Sequence, residues 1–345
     1  MDLLSNRHDL SLLGAPYLQV IGFSYVFNML SSLYASAQRS VENSTFGMKL
    51  FGFYTVLNTV LNYLLIFGHG GLPALGVQGA AVATLLARMS EFVICVVCAV
   101  RSRNIPLDLG RFLRPGTDMV RRFLKYASPV VLNETAWGLG NSLLTVILGY
   151  TDNSVEMLAA NAVMGNLNRL FLVVCFGMGA ATAVIVGKAI GEGKSKDEVM
   201  SLSQTLLWFA VLVGGAVGLV ALALVPTLFV PVIFPMFNLF GQSAAIATAL
   251  AVAGFVTIPL HAYAISAVTG VLRAGGDVAF STALDLGPQW LLCLPVTALC
   301  ALVLKTGAWP IAFAIQLECI VKSPLCAWRI GSVKWIHDVT RGYET

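Results

Sequence analysis

Residues 202–228 read LSQTLLWFAVLVGGAVGLVALALVPTL. No Asp, Glu, Lys or Arg interrupts this run, and it exceeds the about 20 apolar residues that a helix needs to cross a bilayer. In lipid the backbone must satisfy its own N–H and C=O groups, which a lone apolar segment does as a helix. Barrel strands would be about 10 residues long and would alternate in polarity. Working outward, runs of the same character lie at 15–36, 50–68, 78–100, 127–149 and 157–187 before this one, and at 244–270, 281–303 and 307–328 after it. Polar, Gly-rich or Pro-containing joints part them, such as His69-Gly70-Gly71-Leu72-Pro73 and Gly191-Glu192-Gly193-Lys194. The expected fold class is all-α: a polytopic membrane helical bundle of about nine transmembrane helices.

Composition agrees with that reading. Of 345 residues, 57% are hydrophobic and 11% are charged, and the mean hydropathy is +0.82. A soluble domain carries roughly 25% charged residues, so this chain lacks the polar surface to face water on most sides. No amino-terminal stretch has the pattern of a cleaved signal peptide. The seven cysteines lie in apolar runs, and the Cys95-x-x-Cys98 pair sits inside a helix-length one. They read as small packing residues, with no disulfide and no metal site expected.

Orientation follows from Lys and Arg. With joint 69–77 facing outward, the 21 bases sort unevenly. Arg88, Arg169 and Lys322 fall within spans, Arg7 and Lys305 fall outside, and all the others fall on one side. The positive-inside rule makes that side the cytoplasm, with the amino terminus outside and the carboxyl terminus in the cytoplasm. Between Arg101 and Tyr126, basic residues interleave with Leu107, Leu109, Phe112, Leu113, Phe123 and Leu124. This reads as a cytoplasmic linker lying partly in the membrane interface. It divides the chain into 1–100 with three spans, the linker 101–125, and 126–345 with six spans and a short cytoplasmic tail.

An internal repeat crosses the linker. A shift of 234 residues sets Arg39 on Arg273, Asn43 on Asp277, Phe46 on Phe280 and Arg88 on Lys322, without a gap. Both stretches follow a span, turn on the cytoplasmic side and run through two more spans. Such a repeat is parallel, as in transporters whose halves relate by an axis along the membrane normal. The later half has six spans and its last three carry the repeat. By the same logic, three helices are wanting in front of the first.

Several motifs resemble the MATE (multidrug and toxic compound extrusion) family. They are Asn62-Tyr63-Leu64-Leu65-Ile66-Phe67-Gly68 followed by Pro73-Ala74-Leu75-Gly76-Val77-Gln78-Gly79; Leu272-Arg273-Ala274-Gly275-Gly276-Asp277; and Gly177-Met178-Gly179-Ala180-Ala181-Thr182 with Gly187-Lys188-Ala189-Ile190-Gly191-Glu192-Gly193 after it. The resemblance covers nearly the whole chain. It implies a two-lobe fold of twelve helices, here partial, matching the fourth through twelfth. It implies export of organic cations and other amphipathic compounds in exchange for sodium ions or protons. An acid that the family often carries on its first helix has no counterpart in this sequence.

Candidate residues follow from polar groups within spans, which are costly in lipid and tend to be functional. Glu134 stands out, with Asn133 beside it and Trp137, Gly138 and Asn141 sharing its helix face. The resemblance puts a cation-binding glutamate on this helix. Arg169 lies mid-span near Asn161 and Asn168, and Glu134 is its expected acceptor, as a structural or a mechanistic pair. Asn58 and Asn62, one turn apart, match the spacing of an ion or proton site that the resemblance implies for the first lobe, and Thr84 is expected to face it. His261 titrates in the physiological range, so it suits either proton coupling or a satisfied core position. Tyr263 stands near a level where the family sometimes has an acid. Arg88 with Glu91, and Glu318 with Lys322, have the spacing of self-neutralising helix pairs. Asp285 is expected to be hydrated near a span end. Arg273 and Asp277 look like gate or packing elements.

No Gly-rich phosphate cradle is present, so the energy source is an ion gradient rather than ATP. The expected protein is no enzyme but a secondary antiporter in the cell (plasma) membrane, needing no cofactor beyond a sodium ion or proton. Its partners would be a small-molecule substrate and the lipid bilayer, with no nucleic acid; a monomer is the favoured state. Two alternatives stay open: a flippase for lipid-linked intermediates, and a truncated chain that does not transport.

Overall fold

Every apolar run of the sequence is helical in the computed structural model, which describes residues 8–71, 73–101 and 116–336. We number the helices α1 (His8–Ser40), α2 (Ser44–Phe67), α3 (Val77–Arg101), α4 (Thr117–Gly149), α5 (Ser154–Gly191), α6 (Lys196–Met236), α7 (Gln242–Val256), α8 (Ile258–Leu272), α9 (Val278–Val303) and α10 (Ala308–Gly331). Among the described residues there is no strand. Seven of these helices are long and apolar enough to cross a membrane, and α7 with α8, bent by 49°, makes an eighth span. The ninth expected span, 127–149, is helical but falls short of that measure. The reason is its composition: α4 opens with Asp118, Arg121 and Lys125 and later carries Asn133, Glu134 and Asn141. Thr117–Lys125, read in the sequence as the end of the linker, are the first turns of α4. The linker's Arg103, Arg111 and Arg114, together with Arg7 and Arg341, lie outside the described residues.

The chain divides into two compact units between Gly116 and Thr117. In the first, α1 and α2 both pack on α3. The side of α3 that receives them is made small by Ala81, Ala83 and Ala87, all fully buried, so helix backbones approach closely without large side chains between them. Phe51, Val56, Tyr63 and Phe67 of α2 stay exposed, as expected of a lipid-facing helix.

In the second unit, Phe171, Phe229 and Phe255 form a triangle of tilted and edge-on rings with centroids 5.1 to 6.3 Å apart. Beside them α6 meets the α7–α8 bend at Gly218, where a Cβ would stand 2.8 Å from the Phe255 carbonyl oxygen. Only glycine permits that approach. The bend itself has a local cause. Pro259 has no N–H to donate, so the ladder breaks one turn earlier. The Thr257 hydroxyl lies 3.0 and 2.9 Å from the Ala253 and Gly254 carbonyls and 3.1 Å from Gln316 Oε1 of α10. It thereby satisfies the loosened backbone and fixes the bend against its neighbour.

The internal repeat is present in the local structure of each unit. Asn43 and Asp277 both precede a helix, with φ/ψ of −94°/63° and −86°/53°. Before Asn43, the Glu42 amide donates to Arg39 O (3.0 Å) and the Asn43 amide to Gln38 O (2.9 Å). Before Asp277, the Gly276 amide donates to Arg273 O (3.1 Å) and the Asp277 amide to Leu272 O (3.0 Å). Under the 234-residue shift these are the same two bonds. The residue at the crux of each turn is left-handed, Glu42 at φ 63° and Gly276 at φ 84°.

Candidate functional site

Five charged side chains meet in the second unit, drawn from four helices or their ends. Lys322 of α10 donates to Glu318 Oε1 (2.6 Å) and to Asp285 Oδ1 of α9 (2.7 Å). Asn133 of α4 donates to Asp285 Oδ2 (2.7 Å). Arg273, at the end of α8, places Nη1 3.3 Å from Glu134 Oε1 and Nη2 3.7 Å from Asp285 Oδ2. One turn further along the α4–α9 contact, Gln289 Nε2 donates to the Trp137 carbonyl (3.3 Å). The side chains of Lys322 and Asp285 are 8% and 17% exposed, whereas Glu134 is 61% exposed. Three carboxylates stand against two bases, so one negative charge is left over. Its most open member is Glu134.

Several expectations change here. Glu134 pairs with Arg273 rather than with Arg169, which is exposed on α5 and stands outside the network. Asp285 is buried and joins three neighbours instead of being hydrated at a span end, because Lys322, Asn133 and Arg273 replace water around it. Arg273 is part of the site and not merely a packing element. Asp277 is held by Arg329, with both Nε and Nη2 at 2.7 Å from its Oδ2. Asn141 donates back to the Trp137 carbonyl of its own helix (2.9 Å), and Asn161 lies outside the network. The sequence reading gave Asp285 no role, yet an acid inside an apolar run was itself the signal.

His261 is half-buried on α8, with Nδ1 3.2 Å from the Thr257 carbonyl, and lies near enough to Glu318 and Lys322 to feel both charges. Tyr263 packs beside buried apolar residues around Trp335.

The first unit brings together the three polar residues read as one group. Asn62 Nδ2 donates to Asn58 Oδ1 (3.0 Å), Asn58 Nδ2 to Thr84 Oγ1 (3.4 Å), and Thr84 Oγ1 to the Ala80 carbonyl (2.9 Å). This chain of bonds runs from α2 to α3 and leaves Asn62 Oδ1 buried with no partner. Nearby on α3, Arg88 pairs with Glu91 at 2.7 Å and its guanidinium lies 3.6 Å above the Tyr54 ring. Among the described residues no group of three or more His, Cys, Asp or Glu is placed to hold a metal ion, and the seven cysteines are free.

A multi-span helical bundle whose polar groups are gathered inside it, and whose two units share a repeat, defines a membrane transporter. The MatE family model matches residues 129–298. Among relatives, the uncharacterized transporter YisQ of Bacillus subtilis is 22% identical over 93% of this chain and 69% of its own length. The probable multidrug resistance protein YoeA of the same organism is 23% identical over 91% of this chain and 68% of its own. The crystal structure of the Vibrio cholerae MATE transporter VcmN covers 96% of this chain and 72% of that one, with a TM-score of 0.81 at 17% identity, which speaks for the fold. The chain belongs to the MATE family.

Proposed function

We propose that the chain is a secondary antiporter that exports organic cations or other amphipathic small molecules from the cell in exchange for sodium ions or protons. It works in the plasma membrane with its carboxyl terminus in the cytoplasm, as the distribution of Lys and Arg favours. The observation that carries the reading is the surplus carboxylate at Glu134. A cation entering there would neutralise the one charge that the network leaves unbalanced. The relatives' names support multidrug substrates, since YoeA is described as a probable multidrug resistance protein. Asn58, Asn62 and Thr84 offer a second, neutral seat. Amide and hydroxyl oxygens suit sodium, and the unpartnered Asn62 Oδ1 is available to one.

The test is transport by the purified chain in proteoliposomes with an imposed gradient. Export of a fluorescent organic cation should be driven by an inward sodium or proton gradient. It should stop when the gradient is collapsed. Equal export with and without a gradient would contradict antiport.

A further inference from the structure

Arg273 and Lys322 both bridge two carboxylates, but in different ways. Lys322 is closed on its partners at 2.6 and 2.7 Å. Arg273 is closed on neither, at 3.3 Å from Glu134 and 3.7 Å from Asp285. Charge-assisted N–H···O bonds normally close to about 2.7–2.9 Å. Its Nε is buried with no partner, so no third bond fixes the guanidinium. Its two seats also differ. Asp285 is held rigidly by Lys322 on one oxygen and Asn133 on the other. Glu134 has Arg273 as its ion-pair partner and is otherwise open.

We infer that Arg273 is a tethered cation that competes with an incoming cation for Glu134, with Asp285 as its alternative seat. The inference rests on the reading that Glu134 takes cations. When the seat at Glu134 is empty, Arg273 leans on it and offsets its charge. When a cation arrives, Arg273 closes on Asp285 by a shift of about 1 Å, the difference between 3.7 Å and a normal ion-pair distance. Arg273 keeps a carboxylate partner in both states, so no buried charge is ever left bare, a condition that would be costly. Two arrangements of one side chain, each favoured by a different occupancy of the site, form a small two-state element. Arg273 is thus a positioning residue that sets cation affinity.

The experiment is equilibrium binding of radiolabelled tetraphenylphosphonium to the purified full chain in lipid nanodiscs, with folding of each form checked by thermal unfolding. Glu134→Gln should weaken binding at least about tenfold. Arg273→Gln should tighten it by about tenfold, within the usual 5- to 150-fold range of coupling between sites. Asp285→Asn should weaken it several-fold, because Arg273 then has only Glu134 to rest on. A purely structural role would make the last two variants fail in the same direction. Weaker or unchanged binding by a folded Arg273→Gln, with Glu134→Gln impaired, would overturn the competition and leave the cation seat standing. Unchanged binding by Glu134→Gln, or none by any form, removes the seat and the competition together. Should Arg273→Gln not fold, the other two variants decide. Arg273→Lys should bind like the parent chain and Asp285→Asn more weakly; binding by Asp285→Asn at or above the parent's strength would overturn the inference.

Discussion

Lys322 of α10 and Asp285 of α9 stand 2.7 Å apart, with both side chains largely withdrawn from the surface. A buried pair of this kind contributes little beyond a well-packed apolar pair, but breaking it by removing one partner is costly, about 3–5 kcal/mol. Lys322→Ala would leave both Asp285 and Glu318 without their base. We expect a fall in thermal stability of that order, measured by unfolding in nanodiscs. Lys322→Met combined with Asp285→Asn and Glu318→Gln should recover most of it. A single Lys322→Ala variant as stable as the parent would show that the network does not hold α9 to α10.

The ion pair between Lys305 and Asp152 has a similar length, 2.9 Å, but both side chains are more than half exposed. Solvent and side-chain entropy reduce such a pair to between 0 and about 1 kcal/mol. Asp152→Asn should leave the unfolding temperature nearly unchanged. A loss as large as that of Lys322→Ala would mean that burial does not separate the two pairs.

Close helix approach makes another demand. At Gly218 an added Cβ would press on the Phe255 carbonyl, and backbone cannot step aside as a flexible side chain can. Gly218→Ala should cost about 1–3 kcal/mol, as overpacking typically does. The loss should appear as a lower unfolding temperature. Replacement of the nearby Gly215, where a Cβ would meet nothing, should be neutral by comparison.

Much of this architecture was legible in the sequence, and for a physical reason. A bilayer leaves a chain few ways to satisfy its backbone, so apolar length translates almost directly into helices. The joints were legible because Gly and Pro punctuate them. The repeat was legible because Arg39 and Arg273 mark the same turn, and the turn's two backbone bonds recur at the same offset. Asn58, Asn62 and Thr84 came together because spacing along α2 fixes two of them and the α2–α3 hairpin brings the third. The partner of Glu134 was not legible. Helix periodicity says which residues share a face, but not which face of a distant helix answers it. Arg169 was nearer in sequence, while Arg273 was brought in by the bent α7–α8 rod and its turn. Asp285 was misjudged because position along a span says little about burial when a lysine on α10 reaches across to it.

The polar chain in the first unit yields its own expectation. Asn58 is its middle member, receiving a bond from Asn62 and giving one to Thr84. Asn58→Ala breaks both and removes one carbonyl oxygen. Sodium stimulation of export should drop, by about tenfold in the sodium concentration required. Asn58→Asp, which keeps oxygen in place, should retain it. Identical sodium dependence in the parent chain and Asn58→Ala would confine these residues to helix packing.

The account turns on Glu134, and the most direct measurement is gradient-driven export of an organic cation from proteoliposomes carrying Glu134→Gln. The substitution keeps the shape of the side chain and removes its charge, and with it the surplus that draws a cation to the network. The expected result is export indistinguishable from protein-free vesicles, with an unfolding temperature close to that of the parent chain. Export at the parent's rate, with unchanged dependence on sodium and proton gradients, would contradict the account and reduce Glu134 to a tether for Arg273.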